Sequence, residues 1–186
     1  MRLITLPLLC LTLTVLGQDP GNLESHLPGP VHKLVGGNNL PDLVLSSADG
    51  TTVSTATLIG KPIMINFWSV GCIPCIEEIP HLNALKSKYG EDVAFLALTA
   101  DDKENVQRFL MKNPFEFEIF SDAGKIFEEY SIKSIPFNLF IDAGGRIVYT
   151  RSGIPTKHEP GGGRRIDVVN AYGELLEELT RLSQKN

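Results

Sequence analysis

Six residues, Ile63 to Trp68, form an apolar run broken only by Asn66, and four positions beyond its end begins Cys72-Ile73-Pro74-Cys75. An apolar run without polar alternation predicts a strand buried on both faces of a sheet. The pattern then turns helical: Ile76, Ile79, Leu82 and Leu85 recur every three residues, while Glu77, Glu78, Lys86 and Lys88 are polar. Pro74 falls in the first turn, where a missing N–H costs little. Pro80 lies inside the helix and is expected to kink it, and Gly90 to end it. Glu77 and Glu78 read as favourable first-turn charges. Any fold for this chain must therefore cover both faces of one strand and seat two cysteines at the start of the helix that follows it.

The rest of the chain supplies such partners. Leu43 to Leu45 and Thr51 to Ser54 flank Asp49-Gly50, a turn signal between two short strands. Thr57 to Gly60 reads as a helical turn or loop. Val93 to Leu98 is a second strand of the buried kind. Asp101 to Met111 is predicted as a helix with Val106, Phe109 and Leu110 on its apolar face. Asp101 is its expected cap, with Glu104 three residues on. Phe117 to Phe120 is a strand and Asp122 to Tyr130 a short helix. Phe137 to Ile141 and Arg146 to Thr150 make a hairpin across Asp142-Ala143-Gly144-Gly145. Ile154 to Arg165 is rich in Gly and Pro and is expected to be an irregular surface insertion. Ile166 to Leu182 forms the last amphipathic helix. This alternation predicts an α/β fold, a central sheet flanked by helices on both faces, with an N-terminal β-hairpin extension.

The N-terminus is expected to be a signal peptide over 1–17, with Arg2 before the apolar stretch Leu3 to Leu16 and cleavage after Gly17. The stretch is short of the ~20 apolar residues that cross a bilayer; left uncleaved, it would be an anchor. Cys10 is a poor lipoprotein site, because Leu9 stands where a small residue is needed. Residues 18–38 read as a linker and 39–186 as the domain. A net charge of −5, with Arg164-Arg165 the one basic pair that stands out, leaves no footprint for nucleic acid.

Removal of the signal leaves two cysteines, both in the C-x-x-C. Export permits disulfides. As a staple the pair is weak, since so small a loop is worth only ~2 kcal/mol on the chain-entropy formula. Chemistry is the better use. A thiolate is the nucleophile, and a helix N-terminus favours it through free N–H groups and the positive dipole end. Cys72 sits there, and Cys75 lies one turn deeper, within reach. Cys72 is therefore expected to attack a substrate disulfide and Cys75 to resolve the product. Zinc would need further ligands. His81 is nine residues from Cys72, on the opposite helix face, while His26 and His32 lie in the linker and His158 in the Gly-rich insertion.

The run Asn66-Phe67-Trp68-Ser69-Val70-Gly71-Cys72-Ile73-Pro74-Cys75, followed by Glu78-Ile79-Pro80, resembles the thioredoxin-like superfamily, and more closely its exported TlpA/ResA-like branch. Leu40-Pro41-Asp42, Gly60-Lys61-Pro62, Ile135-Pro136 and Phe140-Ile141-Asp142 extend the resemblance over Leu40 to Leu182. It implies a thioredoxin fold with a mixed sheet. It also implies a cis bond between Ile135 and Pro136 beside the cysteines, with the Ile135 backbone open to pair with a substrate strand. Ile73 and Pro74 would tune the redox couple. An acid follows the second buried strand in ResA-like proteins, and Asp101 matches it, so proton handling is a second role for Asp101 besides capping. Thioredoxin has a buried Asp where Asn66 stands, and an amide cannot move that proton. Gly71 replaces a usual Trp, opening the surface beside Cys72, and Phe137 replaces a usual Thr.

The resemblance further implies a monomer, with no cofactor beyond the cysteine pair and no metal. It would work in the periplasm, reducing disulfide-containing protein partners with electrons from a membrane thiol donor; cytochrome c maturation is one destination. The competing enzyme class, a peroxidase of the peroxiredoxin type, wants Pro seven residues and Thr or Ser three residues before the reactive cysteine. Ser69 fits and Ile65 does not. A copper carrier would space its cysteines more widely and add a histidine.

Overall fold

The computed structural model describes residues 34–47 and 52–185. The expected signal peptide, the linker up to residue 33 with His26 and His32, and the Asp49-Gly50 turn lie outside the described residues.

The first elements are the short antiparallel strands β1 (Val44–Ser46) and β2 (Thr52–Ser54), then a 3-10 turn, Thr55–Leu58. The central sheet contains β3 (Ile63–Trp68), β4 (Ala94–Thr99), β5 (Glu118–Phe120), β6 (Phe137–Ile141) and β7 (Ile147–Ser152), in the order β5-β4-β3-β6-β7. β3 runs parallel to β4 and antiparallel to β6, so the sheet is mixed and β3 is its middle strand. That position explains the apolar run: every residue of β3 is buried.

Successive side chains of a strand point to opposite faces. Ile63, Ile65 and Phe67 pack with Leu43 and Leu45 of the β1 segment, and Ile126 and Phe127 of helix α3 (Gly124–Glu129) lie against the same cluster. Met64 and Trp68 face the other way. They meet α1 (Ile73–Tyr89), α2 (Lys103–Leu110) and α4 (Val168–Ser183) through Leu82, Val106 and Leu176. Trp68 lies against Phe109 and Phe115, ring centroids 5.3 and 5.5 Å away, which makes it a core residue. Helix α1 runs unbroken through Pro80, an exposed residue.

Two expectations are corrected. The cap of α2 is Asp102, whose Oδ1 accepts the Asn105 N–H at 2.8 Å, not Asp101; the Asp101 carboxylate is already engaged elsewhere. The insertion 154–165 is not irregular. It contains β8 (Thr156–His158) and β9 (Arg164–Ile166), paired antiparallel, which moves the start of α4 to Val168. Gly161 and Gly162 have φ of +107° and +95°, conformations that favour glycine and permit the turn between the strands.

Candidate active site

Strand β3 delivers the chain to a turn closed by the Cys72 N–H donating to the Ser69 carbonyl at 3.1 Å. Cys72 is the N-cap of α1, with extended backbone (φ −91°, ψ 100°), and the Ile76 N–H donates to its carbonyl at 3.0 Å. The Cys75 N–H donates to Cys72 Sγ at 3.2 Å. A sulfur that accepts from the free N–H groups of a helix start is placed where negative charge is favoured. The two cysteines form a disulfide, with Cα atoms 5.2 Å apart. Cys75 is only 2% exposed, whereas Cys72 is half-buried, so an attacking thiolate meets Cys72. Ile73 between them is 69% exposed, an apolar side chain in water at the rim of the disulfide. A Cβ at Gly71 would meet nothing within 4 Å, so the surface beside Cys72 is open.

The other expected residues lie at the same end of the sheet. Phe137 is the partner of Phe67 across β3 and β6, which brings Ile135 and Pro136 next to the exit of β3. Their peptide bond is cis. Ile135 and Cys72 pack against one apolar cluster. The Pro136 carbonyl accepts the Gly153 N–H at 2.8 Å, which ties the stem of the β8–β9 hairpin to this segment. Asp101 follows β4. Its Oδ2 accepts the Val70 N–H at 2.8 Å and the Thr99 hydroxyl at 2.7 Å. Asp101 thereby fastens the turn that carries Cys72 to the neighbouring strand.

Glu78 is the residue that sequence reasoning misplaced. It is no surface charge: its exposure is 0%. It stands one turn beyond Cys75 on the buried face of α1. Its Oε2 accepts from the Asn66 amide at 3.3 Å and its Oε1 from the Asn138 amide at 3.1 Å. Asn66 also donates to Asn138 Oδ1 at 2.8 Å, and Asn138 to the Tyr172 hydroxyl at 3.2 Å. Burial pushes Glu78 up from 4.5 to about 8; hydrogen bonds from Asn138 and Asn66, the charge of Arg151 and a hydrogen bond with Tyr172 pull it part of the way back. A carboxyl poised near 8 can give or take a proton close to neutral pH. The signal was available. Cys75, Glu78, Leu82, Leu85 and Tyr89 follow the spacing of one helix face, and every one of them is buried.

Among the described residues no three His, Cys, Asp or Glu side chains are grouped to hold a metal ion, and no helix is long and apolar enough to cross a membrane.

A mixed five-stranded sheet that places a disulfide-bonded cysteine pair at a helix start, beside a cis-proline segment, defines a thioredoxin-like thiol–disulfide oxidoreductase. The chain belongs to the AhpC/TSA family, whose sequence model matches residues 36–150. The thiol-disulfide oxidoreductase ResA of Bacillus cereus is 34% identical over 126 residues, covering 66% of this chain and 73% of that protein. The thioredoxin-like protein YneN of Bacillus subtilis is 29% identical over 127 residues, covering 66% of this chain and 75% of its own length. Among solved structures, the thioredoxin domain of a thiol-disulfide oxidoreductase from Bacteroides vulgatus superposes with a TM-score of 0.63 at 20% identity, over 77% of this chain and 99% of that one. A secreted disulfide oxidoreductase of Mycobacterium tuberculosis gives 0.57 at 22% identity, over 75% and 96%.

Proposed function

We propose that this protein-disulfide oxidoreductase reduces disulfides in partner proteins outside the cytoplasm. The observation that carries the mechanism is the unequal exposure of the two cysteines, with Cys72 half-buried and Cys75 almost fully covered. In the reduced protein the Cys72 thiolate attacks a partner disulfide, forms a mixed disulfide and expels one partner thiolate. Cys75 then gives its proton to the Glu78 carboxylate and attacks Cys72 Sγ. The Cys72–Cys75 bond forms, the second partner thiolate leaves, and two electrons have passed to the partner. A membrane thiol donor returns the protein to the dithiol state, with the proton on Glu78 available to the departing Cys75 thiolate.

Asp101 enters this reading as the group that holds the Val70 turn, and hence Cys72, in place. Ile73 and Pro74 shape the surface beside the disulfide, and the Ile135–Pro136 segment offers its backbone to a substrate strand. The apolar N-terminus of the sequence, and the secreted neighbour from Mycobacterium tuberculosis, support export to the periplasm. Cytochrome c maturation fits as a destination, with the protein acting as a monomer. The peroxidase reading has no comparable support: Ile65, where its proline belongs, is a fully buried residue in the middle of β3.

Trapping tests the scheme. Cys75→Ser should accumulate mixed disulfides between Cys72 and partner proteins, seen as thiol-sensitive bands on gels, and Cys72→Ser should abolish both trapping and insulin-type disulfide reduction. Absence of any trapped partner in the Cys75 variant would refute the two-cysteine cycle. A reduction potential in the range of strong oxidants would reverse the proposed direction.

A further inference from the structure

The acid–base part assigned to Glu78 depends on how readily a buried carboxyl takes a charge, and one cation faces it. Arg151 of β7 is the direct cross-strand partner of Asn138. Directly opposed residues of an antiparallel pair project from the same face. Asn138 projects toward Glu78 and Tyr172, so Arg151 does as well. The next pair on that face is consistent with this, since Phe140 packs on Tyr149 at 5.8 Å and on Tyr172 at 4.8 Å.

The Arg151 side chain is only partly exposed, and its Nε is buried without a hydrogen-bond partner among the described residues. Burying part of a guanidinium costs free energy unless a negative charge offsets it. Among the described residues two carboxyls are buried, Glu78 and Asp167. Asp167 is committed at the base of the hairpin, with Arg165 at 3.7 Å, Lys157 at 3.8 Å and the Asn170 amide at 2.7 Å. Among the described residues Glu78 has amide partners and no ion pair. The charge of Arg151 favours the ionised form of Glu78 and also of Tyr172. The groups that act on Glu78 are then Asn66 on β3, Asn138 on β6, Arg151 on β7 and Tyr172 on α4, with Cys75 one turn away on its own helix and Tyr149 of β7 acting on Tyr172. Arg151 is the one cation among them.

We infer that Arg151 is a positioning residue for the exchange reaction: its guanidinium keeps Glu78 able to carry the negative charge it must bear while it waits for the Cys75 proton. This rests on the acid–base part proposed for Glu78. No atom of Arg151 reacts. The charge acts through Glu78 on the ease with which the proton leaves Cys75 in one direction and returns to it in the other.

Two readouts test this on the full-length protein. The protonated carboxyl of Glu78 has an infrared carbonyl band, identified by its loss in Glu78→Gln, whose titration reports the group directly. Single-turnover resolution of a mixed disulfide, followed against pH, reports its use. Arg151→Met should move the infrared midpoint upward by about one pH unit, the low end of what a neighbouring charge does to a carboxyl, and move the rate profile with it. Arg151→Lys should leave both in place. In a Glu78→Gln background, where that band is absent, Arg151→Met should leave the rate profile unchanged. If Arg151→Met does not fold, Arg151→Gln carries the same expectation. An unmoved midpoint in the charge-removing variant, with Glu78→Gln still flattening the rate profile, would overturn the inference and leave the Glu78 reading standing. A profile unchanged by Glu78→Gln would overturn the Glu78 reading itself and the inference with it.

Discussion

Replacing Glu78 by Gln should reshape the dependence of stability on pH. In the folded protein burial holds this carboxyl at about 8, and in the unfolded chain it titrates near its ordinary value of 4.5. Between the two the folded state keeps a proton that the unfolded state has lost. Stability is therefore full below pH 4.5 and falls as pH rises, by about 1.4 kcal/mol per unit, until the carboxylate is charged in both states. Over the whole window the loss approaches 5 kcal/mol, a third or more of the stability of an ordinary domain. Glutamine carries no charge at any pH and escapes this loss. It turns one acceptor into a donor facing Asn66 or Asn138, which costs about 1–3 kcal/mol. The variant should be the weaker protein at pH 5 and the stronger one at pH 8, with the curves crossing near pH 6. Urea titration of the oxidised forms across that range measures this, using the fluorescence of Trp68, the single tryptophan and a fully buried one. A difference between the two proteins that does not change with pH would refute the burial argument.

Asp101→Ala removes the acceptor of the Val70 N–H and of the Thr99 hydroxyl. It should cost about 1–3 kcal/mol and slow disulfide exchange. Normal stability with slowed exchange would show that Asp101 acts on the chemistry rather than through the turn. Gly90 has an ordinary helical φ of −65°, yet a Cβ there would sit 2.6 Å from the Lys86 carbonyl oxygen. Gly90→Ala should therefore lower stability by about 1–3 kcal/mol, as overpacking does, and a melt as sharp and as high as the parent's would show that the end of α1 can yield. Removing Pro160 to Gly163 takes out the exposed tip of the β8–β9 hairpin. The deletion should loosen the β8–β9 pairing that this turn closes and leave unfolding of the central sheet cooperative, while rates with protein substrates change and rates with small disulfides do not; equal rates throughout would remove the hairpin from the substrate face.

The architecture could be read from the chain because its main signals are local. Continuous apolar runs placed β3 and β4 inside a sheet, and the C-x-x-C placed itself at a helix start through Pro74 and the apolar spacing beyond it. The failures have one character. Whether Asp101 or Asp102 caps α2 depends on what else can reach the first carboxylate, and the Val70 N–H arrives from a segment 31 positions earlier. The insertion after Ile154 has few apolar residues, and the pairing of its two strands comes from glycines at positive φ, with no periodic burial to announce it. Both depend on groups brought together by the fold.

Glu78 was legible in principle, and the reason lies in three residues taken jointly. Asn66 is a lone polar residue in one buried strand and Asn138 in another, and β3 and β6 set them directly opposite each other. One contact, Asn66 donating to Asn138 Oδ1, leaves Asn66 with one N–H to place and Asn138 with two, of which the Tyr172 hydroxyl accepts one. A buried N–H without an acceptor is costly, so the pair calls for an acceptor with two oxygens arriving from the layer above the sheet. The buried face of α1 supplies one candidate at the height of Asn66, and it is Glu78. Thioredoxin keeps an acid on the strand, at the position of Asn66. Here the strand carries the amide and the helix carries the acid, one turn from Cys75. In the proposed cycle the proton-handling group therefore sits on the helix that holds both cysteines, where two amides orient its carboxyl.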